Sequence, residues 1–176
     1  MRRRELIAGV GALGVFGAGG AVAYTDLNLT GDNDVEGIEP VELERFDAPG
    51  SSPGTERIPE PGRVTFLEMF ATWCGICERK MEPLSETKAA VDDVQFVSVT
   101  SEPVGRTVQP EDVVEWFSEL GGNWPVAHDE DLELSRRVDA TAVPYAVVFD
   151  EENRITSSSV GYAEADTLID RIESAQ

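Results

Sequence analysis

The sequence predicts an α/β fold, a mixed central sheet flanked by helices. Three observations carry this. Mostly apolar runs of strand length stand at 64–70, 94–100 and 145–150, as expected of strands covered on both faces. Segments with apolar residues at helical spacing follow them, at 75–91, 110–120, 130–138 and 163–174. A Glu-Glu-Asn turn at 151–153 joins the 145–150 run to a hairpin partner at 155–160. Strands alternating with helices imply parallel pairs, and the closing hairpin adds an antiparallel edge.

Taken in order, the chain opens on an address. Residues 2–4 are Arg-Arg-Arg, and 6–23 run for 18 residues without a charge. A basic flank before an apolar stretch is the pattern of an export segment. Six glycines keep the stretch mild, and Arg3-Arg4-Glu5-Leu6-Ile7 resembles a twin-arginine signal. Ala21-Val22-Ala23 suits a signal peptidase. Retained instead, the segment is just long enough for a membrane anchor, with its arginines on the cytoplasmic side. Either way the rest of the chain lies outside the cytoplasm. Residues 24–40 are acidic and aperiodic, the composition of a flexible linker. The folded domain is expected at 41–176. Val41, Leu43 and Phe46 mark a short edge strand, and Pro49, Gly50, Ser51, Ser52, Pro53 and Gly54 a turn cluster. Pro110 starts its helix, where a missing N–H costs nothing.

Composition removes several function classes. Of 176 residues, 34 are acidic and 14 basic, a net charge of −20. Nucleic-acid binding needs clustered Lys and Arg, so it is excluded. Two cysteines and one histidine leave no zinc ligand set and no disulfide-dense scaffold. Lys80 and Lys88 are the only lysines. An acidic, lysine-poor surface suits work in strong brine, where carboxylates stay hydrated and salt screens their repulsion.

Both cysteines lie in Trp73-Cys74-Gly75-Ile76-Cys77, at the junction of the 64–70 strand and the 75–91 helix. Two thiols one helical turn apart can form a disulfide. The first sits at the helix N-terminus, where free backbone N–H groups and the helix dipole favour a thiolate. A thiolate attacks disulfides, and the second thiol resolves the mixed disulfide. Cys74 is therefore expected to attack and Cys77 to resolve, with this redox pair in place of any external cofactor or metal.

The segment Phe70-Ala71-Thr72-Trp73-Cys74-Gly75-Ile76-Cys77 resembles the active-site segment of the thioredoxin superfamily. Arg137-Val138-Asp139-Ala140-Thr141-Ala142-Val143-Pro144 is similar to the stretch carrying that family's cis-proline, and Pro144 is the matching position. The resemblance implies a thioredoxin-like fold, with Pro144 beside the cysteines presenting substrate backbone. Residues 101–128 look like the helix-containing insert of the extracytoplasmic TlpA/ResA-like branch. The chain would be an acidic, haloarchaeal-type member. It would be a thiol–disulfide oxidoreductase acting on exported proteins, with apocytochrome c maturation as a special case. Two cysteines cannot recharge themselves, so a reductant of this kind implies a membrane electron donor.

Glu68 lies six positions before Cys74, on the same strand face as Phe66 and Phe70. A buried acid occupies the matching position in thioredoxins, where it moves the proton of the second cysteine. Burial would raise the pKa of Glu68 into the range of a general base. Trp73, Gly75, Ile76, Val143 and Tyr145 are expected to line the substrate groove, the Tyr145 ring narrowing it. Gly-Ile between the cysteines departs from the family's usual Gly-Pro. Pro83 stands one place later than usual, so the kink is expected to move or the helix to bend differently. Trp116 and Phe117 read as core, Trp124 as packing at the edge of the insert, and His128 as a solvated loop residue. Two other readings use the same fold: a copper chaperone, and a non-catalytic binding module with a structural disulfide.

Overall fold

The computed structural model describes residues 37–176. The expected export segment, 1–23, and linker residues 24–36 lie outside the described residues. In chain order the described elements are β1 (Val41–Arg45), β2 (Gly54–Ile58), β3 (Thr65–Phe70), α1 (Gly75–Ala90), β4 (Gln95–Thr100), α2 (Pro110–Glu119), β5 (Val126–His128), α3 (Glu133–Arg137), β6 (Tyr145–Phe149), β7 (Ile155–Val160) and α4 (Ala165–Glu173). The strands form one mixed sheet in the order β2-β1-β5-β4-β3-β6-β7. β3 pairs with β4, and β4 with β5, in parallel. β6 runs antiparallel to β3 and to β7. The fold is thioredoxin-like, a mixed sheet flanked by helices.

Every residue of β3, β4 and β6 is buried. Strand alternation divides them between two layers. Phe66, Phe70, Phe96, Ala146 and Val148 face one way, where α1, α2 and α4 supply Cys77, Met81, Leu84, Val113, Phe117, Leu168 and Ile172. Leu67, Met69, Val97, Val99 and Val147 face the other, against Leu134 of α3 and Ile58. Phe66 stacks on Phe96 at 4.6 Å between ring centres. Trp124 is core rather than the edge of an insert. It is only 2% exposed, meets Phe96 and Phe117 edge-on, and its indole N–H donates to Ser98 Oγ at 2.8 Å. That bond satisfies the one polar group of the ring and permits full burial.

Several elements differ from expectation. β1 is not an edge strand, because it lies between β2 and β5. β2, Gly-Thr-Glu-Arg-Ile, is mostly polar and exposed up to the buried Ile58 at its end, and pairs with β1 through its backbone. β5 is three residues long, too short for periodicity to show. The turn cluster at 49–54 is partly docked. Gly50 has φ +71°, and a Cβ there would come within 2.5 Å of the backbone at Asn123 and Trp124. Buried Ser51 donates to Phe46 O and accepts from Val126 N–H. α3 begins late because Leu132 takes a left-handed φ of 57°, while the buried Asp129 carboxylate accepts the N–H groups of Leu134 and Ser135 and the Ser135 hydroxyl.

Candidate active site

β3 and β4 end at the same edge of the sheet. The carboxyl edge of parallel strands is where α/β proteins place their sites. Leaving β3, the chain turns over residues 71–73 and enters α1. Cys74 is the N-cap of α1: its Sγ accepts the Cys77 N–H at 3.2 Å. Cys74 and Cys77 are joined as a disulfide, their Cα atoms 5.2 Å apart. Both are largely buried, Cys77 more deeply. An N-cap normally carries an oxygen that accepts one of the free N–H groups. Here sulfur takes that place, so a thiolate released on reduction faces backbone donors and the positive end of the helix.

Across from the cysteines, the Val143–Pro144 peptide bond is cis. The Val143 carbonyl oxygen lies 3.8 Å from Cys74 Sγ. Pro144 is held from behind, its carbonyl accepting the Gly161 N–H at 2.8 Å. Trp73 is 74% exposed and Ile76 41%. Gly75 is open, since an added Cβ would meet nothing within 4 Å. The structure therefore brings Trp73, Gly75, Ile76, Val143 and Pro144 together around Cys74. Tyr145 is not with them. Its ring packs in the opposite layer with Met69 and Val147, and its hydroxyl donates to Val138 O at 3.0 Å. One residue after Pro144, strand alternation turns the side chain away from the cysteines.

Glu68 is 1% exposed. In register with it stand Ser98 of β4 and Ala146 of β6. Burial pushes its pKa up to about 7, against the lowering effect of Lys80. Lys80, fully buried, donates from Nζ to Glu68 Oε2 at 2.9 Å. The other carboxylate oxygen, Oε1, is buried with no partner.

Two further residues went unrecognised in the sequence. Lys80 is one; its signal was a charge three positions after Cys77 on the apolar stripe of a helix. The other is Glu102, just beyond β4 and 6% exposed. Its carboxylate accepts the Thr72 N–H at 2.7 Å, the Thr72 hydroxyl at 2.9 Å and the Thr100 hydroxyl at 3.1 Å. It thereby grips the loop that delivers Cys74. The Glu102 carbonyl lies 2.9 Å from His128 Nε2, so His128 is a strand residue with a partner, not a solvated loop residue. Trp116, half-buried, stacks on Phe70 at 4.9 Å. Among the described residues, no group of three or more His, Cys, Asp or Glu is placed to hold a metal ion.

Known proteins with this architecture share the fold at low identity. StoA from Bacillus subtilis superposes with a TM-score of 0.63 at 20% identity, over 76% of this chain and 97% of its own. The exposed lipoprotein thioredoxin Etrx1 of Streptococcus pneumoniae gives 0.64 at 24% identity, over 77% and 98%. A secreted disulfide oxidoreductase of Mycobacterium tuberculosis gives 0.60 at 19%, over 72% and 93%. No curated protein sequence matches the chain. The family model named Redoxin matches residues 48–173, a span that holds the disulfide, Glu68, Glu102 and Pro144, and the chain belongs to the Redoxin family.

Proposed function

We propose that this thiol–disulfide oxidoreductase works outside the cytoplasm and exchanges disulfides in exported proteins, with Cys74 as nucleophile and Cys77 as resolving thiol. One observation carries the roles: Cys74 caps α1 through its sulfur, next to exposed Trp73 in the chain, while Cys77 is more deeply buried within the helix. In the reducing direction, the Cys74 thiolate attacks a substrate disulfide, forms a mixed disulfide and releases one substrate thiolate. Cys77 then attacks Cys74 Sγ, and the second substrate thiolate leaves as the Cys74–Cys77 bond forms. Two enzyme thiols are oxidised and one substrate disulfide is reduced. The reverse sequence makes substrate disulfides, and the potential of the pair decides which runs.

The Val143 carbonyl and Pro144, opposite Cys74, offer an edge for substrate backbone, with Trp73 and Ile76 as apolar contacts. Glu68 serves as the buried base for Cys77. Location outside the cytoplasm is supported by the basic and apolar pattern of residues 1–23, read as a twin-arginine signal or retained anchor. The architectural relatives described as secreted or as an exposed lipoprotein point the same way. A membrane donor would recharge the pair if it works as a reductant. Apocytochrome c, whose attachment cysteines must be free thiols, belongs to the substrate class on the strength of the TlpA/ResA-like resemblance. The acidic surface suits a saline exterior.

The test is a redox titration of the full chain at high salt, with the Cys74–Cys77 state scored by alkylation. A midpoint near about −270 mV marks a reductant, and one near about −120 mV an oxidant. A pair that never titrates reversibly would sink the exchange reading and leave a structural disulfide.

A further inference from the structure

β7 ends beside the start of β6. Its last residue, Val160, pairs with Tyr145. The next N–H, that of Gly161, donates to the Pro144 carbonyl at 2.8 Å. β7 closes the strand order, so no strand covers its outer side. Gly161 takes φ +93°, and a Cβ there would meet nothing within 4 Å. An open step of backbone therefore continues from Pro144. It leads to Tyr162, which is 47% exposed in the loop between β7 and α4.

Three carboxylates stand around the Tyr162 phenol. Its hydroxyl donates to Glu164 Oε2 at 3.1 Å. α1 packs against α4 and brings Glu82 and Glu86, one helical turn apart and both exposed, towards the same ring. Partial burial, the bond to Glu164 and the charges of Glu164, Glu82 and Glu86 hold the phenol above its ordinary pKa. Arg79 and Lys80 of α1 and Arg171 of α4 bond elsewhere, to Gly75 O, Glu68 and Ser159. Among the described residues, none of the three carboxylates is paired with a Lys or Arg.

Taking the exchange reading above as given, we propose that Tyr162 is a specificity-determining residue: the substrate edge runs past Pro144 over Gly161, and the Tyr162 ring with Glu82, Glu86 and Glu164 takes a Lys or Arg side chain that flanks the reacting cysteine. A cation over the ring face is drawn by the ring quadrupole. Carboxylates at the rim accept its N–H groups, and its aliphatic stem lies along the apolar ring. An Asp or Glu in the same place meets like charges and is turned away. Trp73 and Ile76 give apolar contact near Cys74, while Tyr162 selects by charge. The preferred substrates are exported polypeptides with basic residues next to their cysteines.

The experiment uses the full chain in its dithiol form and three synthetic peptides. They are identical except that the residues flanking a single cysteine are lysines, glutamines or glutamates, and that cysteine is capped as a thiopyridyl disulfide. The Cys74 thiolate attacks the peptide sulfur, the Cys74–peptide bond forms, and the electron pair leaves on the thiopyridyl sulfur, whose absorbance is followed. Each rate is divided by that of the same peptide with mercaptoethanol, which removes the peptides' own reactivity. At about 1 M salt the screening length is about 3 Å, so net charge does not steer the encounter. The lysine peptide should then react about 3- to 10-fold faster than the glutamine peptide, the effect of a cation–π contact with a carboxylate beside it at an exposed site. The glutamate peptide should be the slowest. Tyr162→Ala should bring the lysine preference close to one, and Glu82→Gln combined with Glu164→Gln should lower it. Glu151→Gln combined with Glu173→Gln removes the same charge at the far end of the β6–β7 hairpin and the far end of α4, and should keep it.

Equal normalised rates for the three peptides overturn the proposal. A lysine preference that survives Tyr162→Ala, or that falls as much in the remote pair of substitutions as in the local pair, overturns it too. A chain that attacks none of the peptides sinks the exchange reading itself. Attack on all three without preference sinks this inference alone.

Discussion

The Glu102 carboxylate accepts both the backbone N–H and the hydroxyl of Thr72, at 2.7 and 2.9 Å, two residues before Cys74. A charged acceptor holding two donors fixes the loop more firmly than neutral bonds would. Glu102→Ala should leave those donors and the Thr100 hydroxyl without their acceptor. The expected cost is about 1–3 kcal/mol in denaturant unfolding. Attack by Cys74 on a disulfide probe should slow as well, because the loop that presents it loosens. Unchanged stability together with an unchanged attack rate would show that the grip has no consequence.

Cys77→Ser should leave Cys74 able to attack and nothing able to resolve. A mixed disulfide with substrate should therefore accumulate, visible as a reducible mass adduct on Cys74. Cys74→Ser should form none. Adducts on Cys77 in that variant would reverse the assigned order.

The raised pKa of Glu68 has a sign that stability measurements can read. Its carboxyl titrates at about 7 in the folded chain against an ordinary 4.5, because burial raises it more than Lys80 lowers it. Between those pH values the folded state holds the proton more tightly than the unfolded state. The stability this gives is fully present below about 4.5 and is lost as pH rises through about 7. The parent should therefore lose stability relative to Glu68→Gln across this window, by on the order of 1 kcal/mol per pH unit. Urea unfolding of both proteins at several pH values checks it, and a constant difference between them would contradict the assignment.

The Tyr145 hydroxyl donates to Val138 O within the layer away from the cysteines. Tyr145→Phe should cost about 0.5–1.5 kcal/mol of stability and leave exchange kinetics with substrate alone. Altered substrate preference without loss of stability would return Tyr145 to the groove.

A net charge of −20 spread over 176 residues repels itself. Raising salt from about 0.1 M to about 1 M shortens the screening length from about 10 Å to about 3 Å. The thermal midpoint should rise steadily across that range. A flat or falling midpoint would argue against adaptation to brine.

The long central elements were legible because burial on both faces writes itself into composition. β3, β4 and β6 read as apolar runs, and α1, α2 and α4 as stripes. The cysteine pair was legible because its spacing and its place at a strand–helix junction are local properties. β2 and β5 were not. One is a mostly polar strand with a single buried apolar residue, Ile58, and the other is three residues long, so neither leaves a periodic trace. Tyr145 was misplaced because its neighbour Pro144 belongs to the site, and one step along a strand reverses the face. Trp124 looked peripheral in the sequence because the serine that lets it be buried lies 26 residues away.

The sequence by itself determined the fold class, the redox pair and the burial of Glu68, since each depends on residues close together along the chain. Only the tertiary structure decided what Glu68 and Thr72 face. Lys80 reaches Glu68 across twelve residues and Glu102 reaches Thr72 across thirty. Such pairings follow from strand register and helix rotation, and the cost of burying a charge without its partner makes them decisive.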